Sequence, residues 1–184
     1  MKRVLFSLLL TMGLAHANPS NPPADDLESL LAQRGLVAQF TQIGKSVTNQ
    51  ASDLVVNAMG YLGVPYKRGG NGAAGFDCSG FVRAMYENTL GLVLPHNAKA
   101  QAAVTEKIDR SELQPGDLVF YNTLRKTFSH VGIYIGNGKF IHSPRTGGEV
   151  RIENMSDTYW VKRFNGARRV TPDTNVSSTE AASR

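Results

Sequence analysis

Gly75-Phe76-Asp77-Cys78-Ser79-Gly80-Phe81-Val82 holds the only cysteine of a 184-residue chain. A glycine-rich run, Gly69-Gly70-Asn71-Gly72, precedes it, and apolar residues at helical spacing follow it (Phe81, Val82, Met85, Tyr86). The pattern predicts a loop that turns into a helix at the cysteine, with Asp77 as N-cap. A thiol at that point meets unpaired backbone N–H groups and the positive end of the helix dipole, both of which favour the reactive thiolate. Cys78 is therefore the candidate nucleophile. The flanking glycines and the polar Asp77 and Ser79 suit an inert, apolar slot poorly.

Upstream, Met1-Lys2-Arg3 and the apolar run Val4–Leu10 lead to Ala15-His16-Ala17, a small-x-small pattern. Residues 1–17 read as a secretory signal peptide. The apolar run is shorter than the roughly 20 residues that span a bilayer; an uncleaved anchor is the alternative. No cysteine follows the cleavage point to carry a lipid, and no other run is long enough for stable membrane insertion. Export to the periplasm is the expectation, with a secreted or cell-wall-associated protein as the alternatives. In an oxidising compartment a single cysteine has no internal disulfide partner, which leaves a free thiol or an intermolecular bridge. The formal charge is +5 from 20 basic and 15 acidic residues; without Lys2 and Arg3 it is 18 against 15, or +3. That mild excess suits an anionic cell-wall matrix. No basic stripe interleaved with aromatics points to nucleic acid.

Residues 18–49 form an N-terminal linker and short helix: the proline-rich 18–24, then a helical pattern over Asp25–Gln33 with Leu27, Leu30 and Leu31 on one face and Gly35 ending it. A clearer helix is predicted over about Ser52–Leu62, with Leu54, Val55, Ala58, Met59 and Leu62 as its apolar stripe and Gly63 and Pro65 as its stop. The cysteine helix should end near Asn88 or Gly91, and Asn97–Val104 should be helical. Pro115-Gly116-Asp117 reads as a turn and Leu118–Tyr121 as a buried strand. Strands follow at 130–135, 139–143, 149–153 and around 161–170, and 171–184 is a Ser/Thr-rich tail expected to be disordered. Helices first and antiparallel strands second make an α+β domain over about 50–170.

A cysteine nucleophile needs a base. His16 leaves with the signal, and His96 shows no link to the strands. His130 opens His130-Val131-Gly132-Ile133-Tyr134-Ile135, sharing one face with Gly132 and Tyr134 while Val131, Ile133 and Ile135 take the other. His142 lies on the next strand. If Asn137-Gly138 is a two-residue type I′ loop, Gly136 faces Lys139, His142 faces Ile133, and the histidines point to opposite faces. If Gly136-Asn137-Gly138 is a three-residue loop with Gly138 left-handed, Gly132 faces His142. Both rings then share a face, roughly 7–8 Å apart between backbones. A Cys–His–His site requires the three-residue form. In it His130 is the general base and acid, His142 orients it, and the Cys78 N–H with a neighbouring donor forms the oxyanion hole. Tyr66, Asp77 and Ser79 border the cysteine as oxyanion or substrate candidates, although Tyr66 serves equally as a core aromatic. Cys78, His130 and His142 as three ligands of a zinc ion is the competing reading, weakened by the missing close ligand pair and fourth ligand.

Five stretches in this order resemble the NlpC-type cell-wall cysteine peptidases, a papain-like family of bacterial endopeptidases. They are Gly63-Val64-Pro65-Tyr66-Lys67-Arg68-Gly69-Gly70, Phe76–Val82, Leu113–Phe120, Ser129–Gly136 and Phe140-Ile141-His142. The resemblance implies a Cys78–His130–His142 triad and a nucleophile helix packed on an antiparallel sheet of about five strands. It also implies peptidoglycan stem peptides as substrate, with no cofactor or metal. Small single-domain exported members look like enzymes that cut the D-alanyl–diaminopimelate cross-link; the γ-D-glutamyl–diaminopimelate bond is the alternative. A non-catalytic wall-binding or zinc-binding module on the same fold is the reading from another class. Arg145 could take a substrate carboxylate or stand in solvent. Where the family usually has Leu-Pro-Arg followed by Thr or Ser, this chain has Leu94-Pro95-His96-Asn97-Ala98.

Overall fold

The structure, a computed structural model, describes residues 49–72, 74–123, 126–172 and 174. The expected signal peptide, the linker, the helix over Asp25–Gln33 and nearly all of the tail lie outside the described residues.

The first described helix (α1, residues 49–59) closes in a turn through Gly63, which has a φ of +83°. Its buried side is narrower than the expected stripe. Leu54 and Ala58 are buried, whereas Met59 and Leu62 face solvent; the helix stops at residue 59, which takes Leu62 off the stripe. The chain then runs alongside 148–150, with Tyr66 N–H donating to the Gly148 carbonyl at 2.8 Å and Val150 N–H to the Val64 carbonyl at 2.8 Å. A short ribbon of β1 (Asn71–Gly72) and β2 (Gly75–Phe76) delivers it to the cysteine.

The cysteine helix, α2 (Cys78–Leu90), starts at the cysteine and is capped at both ends. Asp77 Oδ1 accepts from Gly80 N–H at 2.7 Å. Gly91, with a φ of +69°, supplies the left-handed C-cap and donates its N–H to the Glu87 carbonyl. Asn97 caps α3 (Ala98–Val104).

A six-stranded antiparallel sheet completes the fold, in the order β3-β8-β4-β5-β6-β7. Its strands are β3 (Glu106–Ile108), β4 (Leu118–Tyr121), β5 (His130–Gly136), β6 (Lys139–His142), β7 (Arg151–Asn154) and β8 (Phe164–Arg169). The β3 strand is additional to those expected, since three residues with two charges carry no strand pattern. A short helix, α4 (Thr158–Val161), comes just before the last strand, which is expected around 161–170 and runs over Phe164–Arg169.

Both faces of the sheet are covered. On one, Leu118, Phe120, Val131, Ile133 and Ile141 pack against Phe81, Val82, Met85 and Tyr86 of α2. On the other, Val119, Tyr121, Phe140, Met155 and Trp160 form a second cluster. Each fully buried large side chain contributes on the order of 1.5–3 kcal/mol relative to exposure, so the first cluster anchors α2 firmly to the sheet.

The β5–β6 hairpin departs from both expected loops. Gly136 pairs with Lys139, and Asn137 and Gly138 have φ of 51° and 69°, the two-residue type I′ geometry. The register then shifts between Tyr134 and Gly136, so Tyr134 faces Phe140 and Ile133 faces Ile141. This β-bulge absorbs one residue and reverses the facing that the tight turn would impose. Gly132 consequently lies beside His142: a Cβ on Gly132 would stand 3.1 Å from His142 Cβ and 2.9 Å from the Ile141 carbonyl. The three-residue loop is absent, yet the side-by-side histidines it was needed for are present.

Candidate active site

Asp77 organises the approach to Cys78. Besides capping α2 it accepts from Gly69 N–H at 3.0 Å through Oδ2 and from Ser79 Oγ at 3.1 Å through Oδ1. Its own N–H donates to the Gly70 carbonyl at 3.0 Å. Asp77 and Ser79 are thus occupied with each other and with the loop. His96 joins them: its Nε2 lies 3.2 Å from Asp77 Oδ1. His96, which the sequence does not link to His130 or His142, stands at the start of the cysteine helix, because the segment after α2 folds back over its first turn, where a Cβ on Gly80 would meet His96 Nε2 at 2.7 Å.

The cysteine does not behave as its position alone suggests. Cys78 keeps some exposed surface, but burial, and then the charge of Asp77, push its thiol up to about 11. Hydrogen bonds from the backbone of Val131, Ser79 and Cys78 oppose the rise without reversing it. The expected thiolate is therefore not the resting form: desolvation outweighs the helix terminus. The contact from Val131, which follows His130, brings the start of β5 to the sulfur.

His130 and His142 are buried, and His130 Nε2 lies 2.6 Å from His142 Nδ1. Trp160 stacks on His130, with ring centroids 5.7 Å apart and planes at 23°, and meets the His142 ring edge-on at 5.2 Å. Burial, then the neighbouring His142 and Arg151 charges, hold His130 well below its ordinary value. Burial also lowers His142, against the hydrogen bond and charge of Glu153. His142 Nε2 lies 3.1 Å from Glu153 Oε2, and Glu153 Oε1 lies 2.6 Å from an Arg151 terminal nitrogen.

Two imidazole nitrogens that hold a zinc ion at about 2.0–2.1 Å in tetrahedral geometry stand ~3.3 Å apart. At 2.6 Å the facing nitrogens of His130 and His142 share a proton. This geometry does not suit the zinc reading.

Tyr66 is half-buried. Burial, then the charges of Cys78 and Asp77, raise its pKa, so its phenol stays protonated and able to donate beside the cysteine. Arg145 is exposed, and its carbonyl accepts from Gly148 N–H at 2.9 Å. Trp160, Glu153 and His96 were not singled out as site residues from sequence. A lone Trp and a strand Glu carry no motif, and only the departure at His96 from the Leu-Pro-Arg pattern signalled anything there.

The family model described as the NlpC/P60 family matches residues 63–169. Murein DD-endopeptidase MepH of Escherichia coli (strain K12) is 44% identical over 136 residues, covering 71% of this chain and 50% of that protein. Gamma-DL-glutamyl hydrolase of Bacillus subtilis (strain 168) is 42% identical over 118 residues, covering 63% of this chain and 28% of that protein. The chain thus spans half or less of the length of these curated relatives. The crystal structure of an NlpC/P60 family protein from Bacillus cereus ATCC 10987 matches with a TM-score of 0.63 at 35% identity, over 66% of this chain and 40% of that one. The α+β architecture and the matched region, which takes in both the cysteine helix and the histidine strands, lead to one assignment: the chain belongs to the NlpC/P60 family.

Proposed function

We propose that this domain is a cysteine endopeptidase of peptidoglycan, with Cys78 as nucleophile, His130 as general base and acid, and His142 as the residue that orients His130. The observation that carries this reading is the buried 2.6 Å contact between the two histidines at the strand end that reaches the cysteine. Burial keeps both imidazoles neutral and hydrogen-bonded to each other, a state in which one ring can take up a proton and the other can orient it.

In the proposed reaction Cys78 Sγ attacks the amide carbonyl carbon while its proton passes to His130. The backbone N–H of Cys78 and the Tyr66 hydroxyl receive the developing oxyanion. The C–N bond then breaks as His130 returns the proton to the leaving amine, leaving a thioester. Water attacks the thioester, His130 takes its proton, and the acid and free thiol are released.

The D-alanyl–diaminopimelate cross-link is the favoured bond, supported by the name of the Escherichia coli relative. A second reading, the γ-D-glutamyl–diaminopimelate bond, draws on the name of the Bacillus subtilis relative at nearly equal identity. Mass analysis of fragments released from defined stem peptides separates the two. Cys78→Ala should abolish release of either; digestion that survives it would remove the thiol from the mechanism.

A further inference from the structure

The hydrogen bonds around His130 and His142 form a line with a direction. Neutral imidazole carries one N–H and one lone pair, so each ring donates at one nitrogen and accepts at the other. Two arrangements of the pair satisfy the 2.6 Å contact equally: His130 Nε2 donates to His142 Nδ1, or the reverse. They differ in what His130 offers to the cysteine. In the first arrangement its Nδ1 is a free lone pair. In the second Nδ1 carries the proton and cannot act as a base.

The third contact breaks this symmetry. Glu153 is held below its ordinary range: burial raises it, but the hydrogen bond from His142 and the charge and hydrogen bond of Arg151, 2.6 Å away, outweigh burial. An ionised carboxylate only accepts. His142 Nε2, 3.1 Å from Glu153 Oε2, must therefore carry the proton. With His142 neutral, its Nδ1 is bare and accepts from His130 Nε2–H, and the lone pair of His130 falls on Nδ1. Arg151, 2.6 Å from the other carboxylate oxygen, holds Glu153 in place.

We propose that Glu153, braced by Arg151, is a positioning residue that sets the tautomers of both histidines and so makes His130 Nδ1 the nitrogen that serves the thiol. Among the described residues, the ionised and titratable groups facing the pair are Glu153 and Arg151 on β7, the neutral Tyr121 on β4 and the thiol of Cys78 at the start of α2, which the backbone of Val131 reaches next to His130; Trp160 covers the rings from α4. The tautomer assignment stands on its own contacts, whereas its catalytic consequence rests on the function proposed above.

The test is ring-nitrogen NMR on uniformly 15N-labelled full-length protein at neutral pH, paired with pH profiles of stem-peptide cleavage. Both histidines should appear as the Nε2–H tautomer. Glu153→Ala should convert them to a mixture and lower kcat/KM by about 10²-fold, the scale of a lost general base. Glu153→Gln keeps an accepting oxygen and should lose less. It removes the negative charge and leaves Arg151, so the imidazolium is less favoured and the acidic limb of its profile moves to lower pH. An Nδ1–H tautomer for His142 in the unmutated protein overturns the proposal, whether or not any variant folds. So do Glu153→Gln and Glu153→Ala proteins with unchanged tautomers and pH profiles. If Cys78→Ala retains cleavage, the function falls while the tautomer result still stands.

Discussion

Cys78 and His130 are both shifted by burial, in opposite directions, and the outcome is a neutral thiol and a neutral imidazole. Below about 11 the thiol holds its proton, so the unliganded domain is nearly devoid of thiolate at neutral pH. Alkylation of Cys78 by iodoacetamide should therefore rise about tenfold for each pH step through the alkaline range and level off near 11. A plateau already reached below pH 7 would instead indicate a preformed ion pair. At this scale the position of the proposed nucleophile is legible, because one cysteine stands between glycines at a helix start. Its ionisation is not legible. Whether the dipole or desolvation wins depends on what covers the sulfur, and Val131, 53 residues away in sequence (131 − 78), reaches it only in the folded chain.

The β5–β6 hairpin is where the histidines are made neighbours. Asn137 and Gly138 turn the chain in two residues, and the bulge at Ile135 and Gly136 restores the facing that the turn would have lost. Gly136 has a φ of +94°, which a β-branched residue adopts only under strain. Gly136→Val should lower unfolding free energy by about 1–3 kcal/mol, measured in urea, and should reduce cleavage by displacing His142. Asn137→Gly, at a residue already at positive φ, should change neither by much. The strand positions themselves are readable from alternation. The bulge is not, since Gly136-Asn137-Gly138 permits either turn. Contacts beyond the loop accompany the outcome, among them Gly138 N–H donating to the Tyr134 hydroxyl at 3.1 Å. The His96 contact with Asp77 was hidden for a similar reason: it depends on how the chain returns over α2.

Across the whole domain the sheet separates two cores with different tasks. One fixes α2 and hence the cysteine; the other, built on Tyr121, Phe140 and Trp160, encloses the histidines. Trp160 is 5% exposed and touches both imidazoles. Trp160→Ala should cost about 3–5 kcal/mol of stability and admit water to the pair. Calorimetry would show the loss, and the acidic limb of the pH profile should move up as relieved desolvation favours the imidazolium. An unchanged limb would mean that Trp160 does not set the polarity of the site. The α+β class was legible as helices followed by alternating strands. The second core was not, because Met155 and Trp160 are isolated apolar residues that acquire meaning only when α4 folds over the sheet.

The strand order carries a further consequence, for the sequence of events during synthesis. The last strand, β8, lies between β3 and β4, pairing Ile108 with Ala167 on one side and Val119 with Ala167 on the other. Until residues 164–169 have left the ribosome, β3 has no partner and β4 keeps an open edge, a surface prone to pairing with other chains. The cysteine helix and both histidines are made long before that point. The domain nevertheless closes late, around a strand that holds none of the proposed catalytic residues and joins the two parts of the sheet.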